Sequence, residues 1–225
     1  MKKVLLFSGL LFLMGISSAY AIPNLQLFIE GATYDTEDES WVTTSSTFNL
    51  YVIGANEALS DVRISMALAY AKDEDPNGTA SVDVGGTTYD TWVYGYAPIM
   101  TAGTWDNSDD LPKHGIFPAW YTEFSAGNFG LVGGVGNVMP EPTYWDPSTE
   151  GYLAGSKTLG QYKVFSISVE GAAFVHFDAY TVNPDGSIQY FAPFSHDASF
   201  IPEPGTMMLF GFGALGLGLY RRFKK

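Results

Sequence analysis

The chain has no cysteine, which excludes a disulfide framework and any thiol chemistry. It also contains no Gly-x-Ser-x-Gly nucleophile motif, no phosphate-binding glycine loop and no His-Glu-x-x-His zinc motif. These absences argue against the common hydrolase, nucleotide-binding and metalloprotease families. The body of the chain must therefore be stabilised by its own core, and 46% of the residues are hydrophobic.

Basic residues are scarce away from the two ends of the chain. Residues 22–204 contain all 24 acidic residues but only 5 of the 11 basic ones, which gives that region a net charge of −19. Such a surface repels phosphate groups, so nucleic acid is not expected as a partner. Multivalent cations and neutral or cationic glycans remain compatible with the charge, and so does an acidic surface that serves only solubility.

The N-terminus has the three parts of a secretory signal peptide. Lys2 and Lys3 precede an apolar run at residues 4–16, and small residues follow in an Ala-x-Ala arrangement. We predict a signal peptide at residues 1–21, cut by signal peptidase between Ala21 and Ile22. An uncleaved N-terminal anchor is the alternative.

The C-terminus, residues 201–225, also has three parts. Pro202, Glu203 and Pro204 cannot continue a helix and are followed by 15 residues without charge, 206–220. The apolar run would form ~22 Å of helix against a hydrocarbon core of ~30 Å, so it is short for a permanent span. The chain then ends in a basic group that should stay in the cytoplasm and that comprises Arg221, Arg222, Lys224 and Lys225.

The Pro-Glu-Pro motif, the glycine-rich apolar run and the basic end together resemble the bacterial PEP-CTERM sorting domain. The resemblance implies processing near the motif by an exosortase, a membrane transpeptidase of the cysteine type. It also implies a Gram-negative exported protein, held in the inner membrane as a precursor and then moved to the cell surface or extracellular matrix. A plain membrane-anchored protein is the alternative interpretation.

The region between the two ends predicts an all-β fold. Apolar residues alternate with polar ones at residues 62–70, 161–169 and 174–180, and turn residues separate many short segments. We predict a single β-sandwich of jelly-roll type at residues 22–200, flanked by a signal helix and a transmembrane helix. Only short strands and long loops are expected between residues 94 and 159, and a short linker at 199–205 should lead into the tail.

Four segments of the body resemble the choice-of-anchor N family of exported bacterial proteins. They are residues 25–35, 111–118, 175–180 and 191–198, and the last three each contain one of the chain's three histidines. Members of that family carry different anchoring tails. The resemblance implies export and anchoring, and it implies no established activity.

Asp73, Asp75 and Asn77, followed by Gly78, match the first half of a calcium-binding loop. The twelfth position of such a loop would be Val84, which cannot bind calcium. The sequence therefore permits a weak calcium site or a polar turn, and no other cofactor is expected.

The sequences His176-x-Asp178 and His196-Asp197 supply potential metal ligands. The first pair should lie on one face of a strand, whereas the second is expected in a loop. Two histidines and a carboxylate would suit a transition metal if folding brings them together, and otherwise they are hydrogen-bonded structural residues. Ser195-His196-Asp197 is not a catalytic triad, because adjacent residues cannot take the relay geometry.

Trp105 and Trp145 each adjoin an aspartate in a predicted loop, so we expect exposed rings able to stack on a sugar. The body is accordingly interpreted as a non-enzymatic binding or structural module, with extracellular polysaccharide as the candidate ligand. The alternative is a secreted glycan-active hydrolase. Its catalytic pair would come from carboxylates such as Glu123, Glu141, Glu150, Glu170 and Asp178.

Overall fold

The computed structural model describes residues 22–37, 39–98, 111, 116–139, 144–149, 151–152, 157–193 and 196–202. The predicted terminal helices lie outside these residues. So do Trp105 and the predicted signal and sorting residues Ala21, Glu203, Pro204, Arg221, Arg222, Lys224 and Lys225. All of the secondary-structure elements within the described residues are β-strands, in agreement with the all-β prediction.

The first sheet, sheet A, is antiparallel throughout its described part. Its strands are β1 (Leu25–Ile29), β4 (Thr47–Ala55), β6 (Ser81–Val84), β7 (Thr87–Tyr89), β10 (Gly133–Val135) and β13 (Thr158–Glu170). They lie in the order β1-β4-β13-β6-β7, and β10 pairs with β13. A turn at Gly85 and Gly86 joins β6 to β7, and both glycines have positive φ angles.

The second sheet, sheet B, has eight strands in its described part, and most neighbouring strands are far apart in the sequence. Its strands are β2 (Thr33–Asp35), β3 (Ser40–Thr43), β5 (Leu59–Leu68), β8 (Val93–Gly95), β9 (Ala119–Phe129), β14 (Val175–Val182), β15 (Ile188–Phe191) and β16 (Asp197–Phe200). They lie in the order β2-β3-β16-β14-β5-β9-β8, and β15 pairs with β14. A separate two-stranded ladder joins β11 (Trp145–Asp146) to β12 (Gly151–Tyr152).

The two sheets share one hydrophobic core, as in a β-sandwich. Leu27 of sheet A and Met66 and Phe177 of sheet B are fully buried members of that core. Burying one such side chain stabilises the fold by ~1.5–3 kcal/mol. The alternation of β14 sends Val175, Phe177 and Ala179 into this core, so the residues between them face the other side of sheet B.

The outer face of sheet B is also covered. A second, smaller core contains Tyr121 and Tyr180 from the sheet together with Ala97, Leu111 and Phe117 from the chain between β8 and β9. Side chains that point outward from the middle of sheet B are therefore buried rather than solvated. Ala67 of this second core lies opposite His176, a residue of the polar cluster described below.

Strand β9 differs from the sequence-based prediction of short strands in this part of the chain. It has 11 residues and pairs with β5 along most of its length. Its sequence includes Ser125, Gly127 and Asn128, which are poor strand formers. Pairing with β5 on one side and β8 on the other overrides these local preferences, with a register shift where Gly127 lies opposite Val62.

The last strand, β16, lies inside sheet B between β3 and β14. It runs parallel to β3, whereas the other ladders of the described chain are antiparallel, so the sheet departs from an all-antiparallel jelly roll. Ser199 and Phe200 belong to this strand and are buried, which corrects the predicted linker from residue 199. The backbone N–H of Ile201 still donates to the carbonyl oxygen of Thr43 at 2.9 Å.

The turn between β13 and β14 is closely packed against the chain before β6. Gly171 has a φ of 70°, and its carbonyl oxygen accepts a hydrogen bond of 2.8 Å from the Tyr70 hydroxyl. A Cβ at Gly171 would lie 1.9 Å from the carbonyl oxygen of Thr79. The position therefore requires glycine for both its backbone angle and its lack of a side chain.

No helix among the described residues has the length and apolar character that a membrane span needs.

Candidate functional site

A group of five buried polar side chains lies on the outer face of sheet B. We call His176, Asp178, Asp197, Ser65 and Ser199 the polar cluster. In the sheet register His176 lies opposite Ser199, and Asp178 lies opposite Ser65. Each of the five is at most 5% exposed, so each depends on protein partners for its polar interactions.

His176 lies at the centre of the polar cluster. Its Nε2 is 3.3 Å from Asp178 Oδ1 and 3.7 Å from Asp197 Oδ2. Its Nδ1 is 2.9 Å from the hydroxyl oxygen of Ser199. The Ser65 hydroxyl donates to the other oxygen of Asp178 at 2.9 Å. Both imidazole nitrogens of His176 thus have polar partners, and the Ser65 hydroxyl holds the carboxylate of Asp178 in place.

In the absence of a bound cation, the electrostatics of the cluster favour a charged histidine. Burial lowers the pKa of His176, but the charges of Asp178 and Asp197 and their hydrogen bonds more than reverse this effect, and its pKa rises to about 10. The raised value means that this interaction stabilises the fold fully below the ordinary histidine pKa, and that the stabilisation is lost as the pH rises through about 10. With the imidazolium and two carboxylates, the cluster carries one excess negative charge.

His196 does not join the cluster, although it precedes Asp197 directly. Adjacent residues at the start of β16 point to opposite sides, and His196 Nε2 lies 2.7 Å from Asn137 Oδ1. Burial lowers the pKa of His196 to about 4, so this imidazole is neutral and donates from Nε2. Of the two-histidine set considered from the sequence, the structure therefore brings together one histidine and two aspartates. Asp197 also lies in a strand, and not in the expected loop.

A second polar group on the same face was not anticipated as a unit from the sequence. The hydroxyl of Tyr180 donates to Glu123 Oε1 at 2.6 Å, and Arg63 Nη1 lies 3.6 Å from Glu123 Oε2. Burial, followed by the charge of Glu123, holds the pKa of Tyr180 well above its ordinary value. Glu123 thus accepts a hydrogen bond that holds the structure together. The sequence alone does not reveal this group, because it forms only when β5 pairs with β9 and β14.

The predicted calcium loop forms a turn with internal hydrogen bonds. Asp75 Oδ1 accepts from the backbone N–H of Asn77 at 2.9 Å and from its side-chain amide at 2.6 Å. Asn77 Oδ1 accepts from the backbone N–H of Trp92 at 2.6 Å. Asp73 and Asp75 are exposed, whereas the amide oxygen of Asn77 already accepts the hydrogen bond from Trp92. Calcium at Asp73, Asp75 and Asn77 stays a prediction.

Trp145 is 1% exposed, so the expectation of an exposed ring there is wrong. The residue belongs to β11 and packs edge-on against Tyr162, with ring centroids 5.8 Å apart. The neighbouring Asp146 accepts a hydrogen bond of 2.9 Å from the backbone N–H of Ser148. The aspartate beside the ring is therefore a turn residue, and burial removes Trp145 as a stacking platform for sugars.

An open polar groove of about 410 Å³ lies beside the end of β16. Its lining includes Glu30, Thr43, Thr47, Asn49 and Ser166. The Asn49 amide donates to Glu30 Oε2 at 2.8 Å on the wall of the groove. Carboxylate, amide and hydroxyl groups at an open surface are the groups that hydrogen-bond sugar hydroxyls. We call this the exit groove, because the chain leaves the sheet next to Thr43.

The segment that begins at the end of β16 is similar to a known sequence motif. Residues 200–222 match the PEP-CTERM protein-sorting motif. The chain carries a PEP-CTERM sorting signal. The motif indicates an exported protein that is held at the membrane before an exosortase processes it. No curated protein matches the chain.

Proposed function

We propose that the chain is the precursor of a cell-surface or extracellular-matrix protein of a Gram-negative bacterium, delivered by its PEP-CTERM signal. The observation that carries this proposal is the continuity of body and signal. The motif match begins at Phe200, which is also the last residue of the buried strand β16. A folded all-β body is therefore joined to the sorting signal without an intervening domain.

The body itself is proposed to be a non-enzymatic binding or structural module. Of the carboxylates considered as glycosidase acids, Asp178 is buried in the polar cluster and Glu123 is bonded to Tyr180. Both side chains are largely enclosed by other residues of the described chain, which supports a role without turnover for these two carboxylates. The resemblance of the body to the choice-of-anchor N family is part of the same proposal.

Extracellular polysaccharide is the ligand we propose for the body, and the exit groove is the surface that suits it. Asn49→Ala would remove an amide from the groove wall without touching the core. We expect the exported protein to bind neutral glycans on a glycan array and expect this variant to lose at least about tenfold in affinity. Asn128→Ala, at an exposed asparagine on β9, is the matched control and should bind normally.

A panel of chromogenic glycosides separates this proposal from a secreted hydrolase. Turnover that a single carboxylate substitution abolishes would establish the enzyme and overturn the binding role. Silence on both the array and the panel would favour a purely structural body. Retention of the full-length chain in the inner membrane would instead indicate a plain membrane-anchored protein.

Calcium is proposed as a modest stabiliser through Asp73, Asp75 and Asn77. Because a ligand that binds only the folded state raises its stability, millimolar calcium should raise the melting temperature by a few degrees. Asp75→Ala should abolish the increase, whereas Asp90→Ala, at another exposed aspartate, should preserve it. An unchanged melting temperature with calcium and with EGTA would show that the loop is only a turn.

A further inference from the structure

We propose that His176, Asp178 and Asp197 form a buried binding site for a divalent transition-metal ion of the zinc type. One ligand atom from each residue lies within 4.8 Å of the other two, and all three residues are buried. The three come from two strands, β14 and β16, that are neighbours in sheet B. This site is separate from the exposed calcium loop and uses different residues.

The distances inside the site are those of ligands that share a metal ion. A charge-assisted N–H···O bond is usually ~2.7–2.9 Å long. The two distances from His176 Nε2 to carboxylate oxygens are longer, at 3.3 and 3.7 Å. Zinc bonds to nitrogen and oxygen of ~2.0–2.1 Å in a tetrahedral arrangement place neighbouring ligand atoms about 3.3 Å apart. The two distances from His176 are therefore compatible with three side chains that bind one ion.

The groups behind the three ligands also fit a metal site. A histidine that binds a metal through one nitrogen usually donates the N–H of the other nitrogen to a fixed acceptor, which sets the tautomer. Ser199 Oγ lies 2.9 Å from His176 Nδ1 and is placed to accept, which directs Nε2 towards the aspartates. Asp178 presents one oxygen to the site, while its second oxygen accepts from Ser65.

The ligand set restricts which ion the site would take. One imidazole nitrogen and two carboxylate oxygens suit zinc and other divalent first-row metals, whereas calcium prefers six to eight oxygens. A divalent ion would balance the two buried carboxylates. Because all three residues are buried, we infer that the ion would stabilise the junction of β14 and β16 and would not catalyse a reaction.

The test begins with the exported protein purified from the cells that produce it. Its metal content is measured by mass spectrometry, and we expect about one zinc-type ion per chain. The protein is then unfolded with a chelator and refolded with Co²⁺ as a spectroscopic substitute. A non-octahedral site should give visible Co²⁺ absorption that saturates near one equivalent, and added Zn²⁺ should displace it.

Three site variants and one control test whether the Co²⁺ signal comes from these residues. Asp197→Asn should abolish Co²⁺ absorption, and Ser199→Ala should weaken binding by about 10–100-fold because it removes the support behind His176. Asp185→Asn changes an exposed turn aspartate and should bind as the wild type does. Wild-type protein that carries no metal and gives no Co²⁺ absorption would overturn the proposal, as would full binding by both Asp178→Asn and Asp197→Asn. If a variant fails to fold, the wild-type Co²⁺ titration decides the question.

Discussion

Replacing Glu203 with alanine is expected to leave most of the protein as an unprocessed precursor in the inner membrane. Glu203 is the charged centre of the motif. Because a carboxylate is costly to bury in a bilayer, we expect this side chain to lie at the membrane surface, within reach of the processing enzyme. The two flanking prolines predict an extended segment, which would suit a protease cleft. In the wild type, intact-mass analysis of the exported protein should show a chain that ends near Pro204.

The matched control for this prediction is Glu37→Ala, which removes an exposed glutamate from a surface turn of the body. It should be processed as efficiently as the wild type, because it leaves the tail unchanged. A wild-type chain that still ends in Lys225 and fractionates with the inner membrane would show that the tail is a lasting anchor. Normal processing of the Glu203 variant would show that the enzyme does not need the carboxylate.

Replacing Gly171 with alanine is expected to cause the largest loss of stability among single-methyl additions to the body. The backbone angle alone would cost ~1–2 kcal/mol for a residue with a Cβ. The new methyl group would also overlap the carbonyl oxygen of Thr79, since the two atoms would be only 1.9 Å apart. Overpacking of this kind typically costs ~1–3 kcal/mol, and more where backbone must move.

Gly31→Ala separates the two contributions. Gly31 has a similar φ of 74°, but no other atom lies within 4 Å of its added Cβ. The loss of stability in Gly31→Ala should therefore reflect the backbone angle alone. Its melting temperature should lie a few degrees below that of the wild type. The decrease for Gly171→Ala should be about twice as large or more. Equal decreases for the two variants would mean that the contact with Thr79 relaxes without cost.

Much of sheet A could be predicted from the sequence, because its strands depend on local patterns. The alternation in β13 and the glycine turn between β6 and β7 are visible without tertiary information. Strand β9 was missed because Ser125, Gly127 and Asn128 weaken its local signal. It is held in place by β5, a strand some 60 residues earlier in the chain.

The polar cluster also combines a part that local sequence predicts with a part that depends on strand pairing. His176 and Asp178 were expected on one face, since a strand has a period of two. The contribution of Asp197 depends on the ladder between β14 and β16, which local sequence does not specify. Trp145 was assigned to the surface because of its polar neighbour, but its ring packs against Tyr162 from a strand of sheet A.

The placement of β16 has a mechanical consequence. Any molecule joined to the processed C-terminus would pull on the body along the axis of this strand. Its ladders with β3 and β14 lie parallel to that force, so their hydrogen bonds would be loaded together in shear and would not open one at a time. A strand at the edge of the sheet would have only one such ladder. If another molecule is joined to the processed C-terminus, the attachment would follow an internal strand, and both halves of sheet B would share a tensile load.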